Sequence, residues 1–284
     1  MLAKPTARLI ETLGALESRL ALPQLLTAMK SGSALRIAAW QGLAAPVYAP
    51  VTDSGTDEPL RKAMLAGAAD GDSKVRIAVL GAIERWGAAE RTPKGALNRV
   101  ISALSDKDAS VRAAAVGALM EVGSSKWLGE LGRASRDKSP LPARALAVAL
   151  ARRPGRAAEA NLWLTKLAAS ADAETKRQAR AAQVLAGVVS LADALAATAD
   201  DVEATRVLLG ALAAAQASGQ KVVFAADAAT AVLAHADAGL RGLAIEVLAR
   251  GNARRAAADA LLGELLSGAV DPAAAAAAWL RATR

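Results

Sequence analysis

The chain has 284 residues, of which 77 are alanine, and it contains no cysteine, one histidine and seven aromatic residues. The lack of cysteine excludes disulfides, thiolate metal sites and a cysteine nucleophile, and His235 alone cannot form the usual histidine-based metal cluster. Hydrophobic residues make up 54% of the chain, too many for disorder and enough for a large core. No uncharged run reaches the roughly 18–20 residues of a membrane helix, so the composition predicts a soluble helical protein without a metal or cofactor.

The predicted elements begin with a cap helix in residues 1–22, where charged side chains interrupt any export signal, so we expect a cytoplasmic protein. Residues 44–59, rich in Pro, Ser, Thr and Asp, predict a loop inserted after the first helix pair. This segment holds the only tyrosine, Tyr48, and we favour a tolerated insertion there over a binding loop. A C-terminal cap is expected in residues 253–284. Between the caps, apolar residues at i, i+3 and i+4 predict amphipathic first helices at 23–30, 59–69, 93–104, 125–135, 156–169 and 219–234.

A repeated motif follows these first helices along the chain. The clearest copies run from Asp70 to Ile83 and from Asp106 to Leu119, and a third runs from Ala238 to Leu248. Each strong copy has aspartates in a turn, an apolar residue before an arginine, and then small and aliphatic residues at helical spacing. The recurring arginines stand at 36, 76, 112, 144, 177, 206 and 241, so 29–40 residues separate consecutive copies. This period predicts a repeat protein in which each unit is a helix, an Asp-containing turn and a second helix.

The motif resembles HEAT repeats, including the short variety common in bacterial proteins. The resemblance covers roughly residues 23–266, and it is weaker between 125 and 215, where the Asp-to-Arg offset drifts. It implies one all-α domain over residues 1–284, a right-handed α-α superhelix (HEAT-like solenoid) of about seven to eight helix pairs. It also implies a ladder of bonds between turn aspartates and helix-start arginines of neighbouring repeats, which we assign to Asp70, Arg76, Asp106, Arg112 and Arg241.

Positive charge is concentrated in the middle of the chain. Residues 126–180 carry twelve basic and five acidic side chains, a net charge of +7 out of +8 for the whole chain. A basic edge of stacked turns can engage an acidic protein, phosphate groups or anionic lipid. The candidate binding residues are Arg136, Lys138, Arg152, Arg153, Arg156, Arg177 and Arg180. The alternative is that some of these arginines serve the ladder and the others only solvate an alanine-rich surface.

Motifs for chemistry are nearly absent. The segment from Asp70 to Lys74 begins like a calcium loop but lacks the later ligands, and its sibling at Asp106 marks it as a repeat turn. We interpret His235 as a cap or surface residue. HEAT-like DNA repair glycosylases use tryptophans in a basic cleft, but the five tryptophans here are scattered over first and second helices, which is typical of packing.

These observations predict a non-catalytic scaffold or adaptor. We expect it to bind a protein partner, with an acidic protein as one candidate, through the concave face made by the second helices or through the basic edge. The alternative is nucleic-acid backbone binding through residues 126–180. A glycosylase or an accessory resembling the HEAT-like bilin lyases is a more remote alternative.

Overall fold

The structure is a computed structural model that describes residues 5–49, 57–123, 128–152, 161–217, 219, 222, 226–235, 237–251, 254–268 and 279. Within these ranges the chain is helical and has no strand. Short turns join consecutive helices, and these helices pack against their neighbours in chain order. The predicted all-α class with HEAT-like helix pairs is therefore confirmed.

The chain divides into two compact units, Met1–Ala149 and Leu150–Arg284. The first unit opens with helix α1, Ala7–Ala15, where the predicted cap lies. Three helix pairs follow, each a first helix and a second helix, and the first helix of a fourth. They are α2 Leu22–Ala28 with α3 Ser33–Leu43, α4 Glu58–Gly67 with α5 Ser73–Ala88, α6 Ala96–Ala103 with α7 Ala109–Val122, and then α8 Leu128–Ala134.

Helix α9, Pro140–Arg152, is the second helix of the fourth pair, and the boundary between the units falls inside it. The second unit continues with three more pairs and one further helix. They are α10 Asn161–Ala168 with α11 Ala173–Leu185, α12 Leu191–Ala196 with α13 Val202–Ala217, α14 Ala226–Ala231 with α15 Ala238–Arg250, and α16 Arg254–Leu266. The described residues therefore contain seven pairs, within the predicted number.

Aspartate side chains define where several second helices begin. The carboxylates of Asp72, Asp108, Asp172 and Asp237 each accept a hydrogen bond from a backbone N–H in the first turn of the helix that follows. Such a side chain satisfies one of the amide groups that the helix itself leaves unpaired. The Asp-rich turns of the sequence motif are therefore the N-caps of second helices.

Two tryptophans anchor the core of the first unit. Trp40 on α3 and Trp86 on α5 are both fully buried, with ring centroids 6.3 Å apart and a tilt of 59° between the rings. The Trp86 Nε1 donates a 2.9 Å hydrogen bond to the backbone oxygen of Leu43. A tilted aromatic pair adds stabilisation beyond the area that it buries. These rings therefore pack neighbouring second helices together.

The second unit buries mostly leucine, valine and alanine. Leu208 and Leu212 of α13 pack with Leu240, Ile245 and Leu248 of α15. Because alanine lines much of the remaining interface, these helices can lie close together with little loss of side-chain entropy.

Helix α12 is an element that the sequence analysis missed. It has only six residues and buries Leu191 and Ala194. Its N-cap is Ser190, whose hydroxyl accepts a hydrogen bond from the Asp193 N–H. Six residues give too little periodicity for recognition from the pattern alone. With α12 in place, Arg206 heads the second helix of a complete pair.

The described ends of the predicted loop 44–59 are packed against the first unit. Residues 46–48 form a 3₁₀ turn, and Tyr48 is fully buried, with its hydroxyl donating to the Ser18 oxygen at 3.0 Å. Arg19 joins the two ends of the loop, because it donates to the Ala49 oxygen at 3.0 Å and to Asp57 Oδ1 at 2.7 Å. Tyr48 is therefore a core residue.

Candidate interaction edge

Arginines connect the turns of successive pairs in the first unit. Arg76 donates from Nε to Asp106 Oδ2 at 2.8 Å and from Nη2 to Asp106 Oδ1 at 2.9 Å. Arg112 holds Asp137 in the same two-pronged geometry, with both distances 2.7 Å. A planar guanidinium matches a carboxylate in this bidentate arrangement. Each bond spans from the start of one second helix to the turn of the next pair.

The same arginines also bind the turn of their own pair. The Nη1 of Arg76 donates to the backbone oxygen of Asp70 at 2.7 Å, and the Nη1 of Arg112 donates to that of Asp106 at 2.8 Å. Each guanidinium therefore fixes two turns in register, its own through the backbone and the next through the carboxylate. We call this series the Arg–Asp ladder.

The ladder begins one pair earlier than the clearest motif copies indicate. Arg36 pairs with Asp70, with 3.0 Å between Nε and Oδ2, and its Nη1 donates to the Ser31 oxygen at 2.8 Å. Asp70 therefore accepts from the arginine of the preceding pair through its carboxylate and from Arg76 through its backbone.

In the second unit the ladder continues with looser geometry. Arg177 lies 3.2 Å from Asp201 and Arg206 lies 3.3 Å from Asp237, and these side chains are 25–46% exposed. Arg241 donates from Nη1 to the backbone oxygen of His235 at 2.9 Å. This is the same bond to its own turn that Arg76 and Arg112 make. The exposure of these pairs weakens their contribution to stability relative to the pairs of the first unit.

The drift in the Asp-to-Arg offset has a geometric cause. In the first unit the ladder aspartate stands two residues before the N-cap, as Asp106 does before Asp108. In the second unit Asp237 has both roles, because Oδ1 accepts from the Leu240 N–H while Oδ2 pairs with Arg206. Asp201 likewise accepts from the Ala204 N–H and pairs with Arg177. The turn before these second helices is therefore shorter in the second unit, because one aspartate both caps the helix and pairs with the arginine.

A further bond lies beside the ladder in the first unit. The Ser33 hydroxyl bonds the carboxylate of Asp72. This hydrogen bond, followed by the Lys74 N–H, lowers the pKa of Asp72 below its ordinary value. Backbone bonding from Ser110, followed by the influence of the Ser73 hydroxyl, lowers the pKa of Asp108. Both capping carboxylates are therefore charged at neutral pH, and that of Asp72 is engaged across the pair boundary.

The ladder carboxylates are likewise held in the charged form. The Arg112 hydrogen bonds lower the pKa of Asp137, against the opposing effect of burial. Burial by itself would raise the pKa of Asp106, but the bonds from Arg76 and from the Asp108 N–H outweigh it, and the pKa is lowered. The turn aspartates are thus neutralised by partners within the fold and leave little negative charge for an external ligand.

Exposed cations remain on these same turns. Lys107 lies between Asp106 and Asp108, and Arg136 and Lys138 flank Asp137. Since the ladder stacks the turns, Lys107 lies on one turn and Arg136 and Lys138 lie together on the next, at roughly 10 Å separation, the distance between packed helices. We call Lys107, Arg136 and Lys138, together with exposed Lys74 at the start of α5, the turn edge. Arg136 and Lys138 were predicted from the sequence, whereas Lys74 and Lys107 were not, although Lys107 follows its ladder aspartate at the position that Lys138 has in the next turn.

The other predicted binding residues have different surroundings. Arg177 belongs to the ladder, so its guanidinium is already engaged by Asp201. Arg180 is half-buried and donates to the Ala197 oxygen at 3.3 Å. Arg152 is exposed at the end of α9, while Arg153 and Arg156 lie outside the described residues. The structure therefore brings Arg136 and Lys138 together and assigns Arg177 a structural contact.

The remaining tryptophans do not assemble with Trp40 and Trp86 in the described structure. Trp163 is half-buried on α10, with the Lys166 ammonium 5.2 Å from its ring centroid, and Trp279 packs against the second core. Trp127 lies outside the described residues. The contacts of these rings are those of packing and of one cation–π pair.

His235 and the acidic turns are the groups of the sequence that could in principle bind a metal or transfer a proton. His235 accepts a 3.0 Å hydrogen bond at Nδ1 from the Asp237 N–H, so the ring helps to fold the turn before α15. Within the described ranges no group of three or more His, Asp or Glu is arranged to hold a metal ion. Nor does any described helix combine the length and the apolar character required to cross a bilayer.

Comparison with known families identifies part of the chain. Residues 58–152, which run from the start of α4 to the end of α9, match the family model of HEAT repeats. The matched segment contains the strongest ladder bonds, those of Arg76 and Arg112. A search of curated proteins finds no match.

Proposed function

Because residues 58–152 are HEAT repeats, we propose that this chain is a non-catalytic scaffold that binds an acidic protein partner along the turn edge of its first unit. HEAT repeats form helical scaffolds that often mediate protein interactions. The observation that carries the proposal is the stacking of the turns by the ladder. It aligns exposed cations while the aspartates beside them are paired within the fold.

The charges of the turn edge suit recognition more than stability. Lys107, Arg136 and Lys138 are exposed and form no ion pair with described residues. Exposed cations in a row attract an acidic surface over several ångströms and raise the association rate. A rigid ladder beneath them keeps their spacing constant, so a partner meets a preorganised row.

A charge-reversal experiment tests this proposal. The edge variant carries Lys107→Glu, Arg136→Glu and Lys138→Glu, and the matched control carries Arg8→Glu, Lys94→Glu and Arg99→Glu, all exposed and away from the turn edge. Immobilised wild type and both variants would be incubated with native lysate, and the captured proteins quantified by mass spectrometry. We expect an acidic protein retained by wild type and control but lost by the edge variant, and purified partner should reproduce this difference in calorimetry. Equal capture of every protein by all three would overturn the proposal.

Nucleic-acid binding is the competing function, because a row of cations also fits a phosphate backbone. Fluorescence anisotropy with duplex DNA, single-stranded DNA and RNA at two salt concentrations separates the two. Affinity that falls steeply with salt and is lost only in the edge variant would replace the protein partner with nucleic acid. Such binding would have little sequence preference, since phosphate contacts carry no base information.

A further inference from the structure

A cavity of about 510 Å³ lies between the first two helix pairs. Its lining residues come from α2 to α5 and include Trp40 of α3, Val75 of α5 and Asp70 of the turn before α5. This volume is within the range of roughly 300–1,000 Å³ found for small-molecule sites. The cavity is separate from the turn edge cations and from the ladder carboxylates of later pairs.

Small residues line the α4 side of the cavity, and one of them lets α4 pack closely on Trp40. Gly67 lies against Trp40, and a Cβ built on it would come within 3.0 Å of the indole Nε1 and within 2.8 Å of Val79 Cγ2. Ala63 and Ala66, on the same side of α4, leave the space in front of the indole unfilled. A leucine at either position would project into that space.

The walls and the mouth differ in chemistry. Leu26, Met29 and Val75 supply an apolar lining. Lys30 and Lys62 also line the cavity, and both are exposed, so their aliphatic stems extend the wall while their ammonium groups face water. An apolar chamber bordered by two cations is complementary to an apolar molecule that carries a negative charge.

The acidic groups near the cavity are already occupied. Asp70 is paired with Arg36, and both oxygens of Glu58 accept 2.7 Å bonds from Arg61. Lys62 therefore has only a 3.8 Å contact with Glu58, and Lys30 has no ion pair with a described residue. The cavity thus offers two cations, and the carboxylate among its described lining residues, that of Asp70, is already paired.

We propose that this cavity binds a small organic anion, an aliphatic or aromatic carboxylate whose apolar body lies against Trp40 and Met29 and whose carboxylate is held by Lys30 and Lys62. The site goes beyond the proposed scaffold function and uses none of the turn edge residues. Its ligand is free in solution and not part of a partner protein.

Octanoate is a suitable probe, with 1-octanol as an uncharged molecule of the same chain length. We would titrate each into the full chain by calorimetry and follow the Trp40 indole N–H by NMR. Octanoate should bind at one site and shift the Trp40 signal, and octanol should bind about tenfold more weakly because it lacks the ionic contacts. Equal binding of both probes, or no octanoate binding, would overturn the proposal.

Two variants assign the site. Ala63→Leu fills the cavity at a half-buried helical position and should abolish octanoate binding, whereas Ala192→Leu, on the exposed face of α12, should leave it unchanged. The Lys30→Glu and Lys62→Glu double variant should lose about tenfold or more in affinity, and the Lys94→Glu and Arg99→Glu control should lose none. Circular dichroism and melting temperature establish that each variant is folded. Wild-type affinity in folded Ala63→Leu would place the octanoate elsewhere and refute this site, while the lysate experiment on the turn edge would be unaffected.

Discussion

The guanidinium of Arg76 holds the carboxylate of Asp106 across a boundary between helix pairs, through bonds of 2.8 and 2.9 Å. Both side chains are largely buried, at 8% and 15% exposure. Thirty residues separate them in the chain, so the pair reports stacking of the repeats and not local helix formation. Its equivalent in the second unit, Arg206 with Asp237, has a single 3.3 Å contact and 43% exposure of the arginine.

This difference predicts unequal effects of the same substitution. Arg76→Gln should lower the free energy of unfolding by about 3 kcal/mol, because it leaves the carboxylate of Asp106 partly buried without its cation. Arg206→Gln should lower it by less than about 1 kcal/mol, since the exposed partner is rehydrated. Urea unfolding followed by circular dichroism measures both values. Equal losses in the two variants would contradict the structural role assigned to burial.

Acid should weaken the first unit through its turn aspartates. The pKa values of Asp72, Asp106, Asp108 and Asp137 are lowered in the fold. Such groups bind fewer protons when folded, so their stabilisation is complete above the unfolded pKa of about 3.9 and is lost as pH falls through the lower folded values. The contribution of these carboxylates to the free energy of unfolding should therefore be constant near neutral pH and fall below about pH 4.

The corresponding variant test uses Asp137→Asn. This change removes a group whose pKa is lowered chiefly by Arg112, so the variant should be less stable at pH 7 and lose less stability between pH 5 and pH 2. Thermal unfolding at a series of pH values measures both effects. Asp193→Asn on α12, with an exposed side chain outside the ladder, provides the comparison. An acid slope in Asp137→Asn as steep as in the wild type would show that this carboxylate is not part of the acid response.

Close approach of α1 to α3 makes Gly14 sensitive to any side chain. A Cβ at Gly14 would lie 2.2 Å from the Cα of Gly42, so the two backbones would have to move apart to accommodate it. Gly14→Ala should lower the melting temperature, with a loss of about 1–3 kcal/mol typical of overpacking. Gly81→Ala is the matched control, since a Cβ there meets nothing within 4 Å on helix α5. It should raise stability by about 0.5–1 kcal/mol by favouring the helix.

Trp86 provides a test of the aromatic core. Trp86→Phe keeps an aromatic ring beside Trp40 but removes the N–H that donates to the Leu43 oxygen in the buried interior. We expect a loss of about 2–4 kcal/mol from the smaller ring and the unpaired carbonyl together. Chemical denaturation measures the loss. The corresponding change at half-buried Trp163, which makes only a cation–π contact with Lys166 among the described residues, should cost about 1 kcal/mol or less.

Much of the fold was predictable because its signals are local. The arginine motif, the aspartate-containing turns before second helices and the amphipathic spacing of first helices each depend on residues within one or two turns of each other. The family match over residues 58–152 covers the copies in which these signals are strongest. Helix α12 escaped prediction because its six residues carry too short a pattern.

The candidate sites were less predictable. Composition located the positive charge near Arg136 and Lys138, but it could not separate them from Arg177, which the fold engages with Asp201. Nor did it indicate that Lys107 occupies the same edge, because the alignment of turns depends on stacking. The sequence around Tyr48 predicts a loop. In the structure Tyr48 is buried, and Arg19 bonds to both described ends of that loop.

The sequence by itself therefore determined a helical repeat protein with aspartate-containing turns before its second helices, because helical periodicity and turn composition act within a few residues. Only the tertiary structure decided which arginine meets which aspartate, since those bonds join residues 24–34 positions apart. It also decided that Ala63 and Trp40 line a cavity beside two lysines, because empty space depends on how neighbouring pairs pack and has no signature in a single segment.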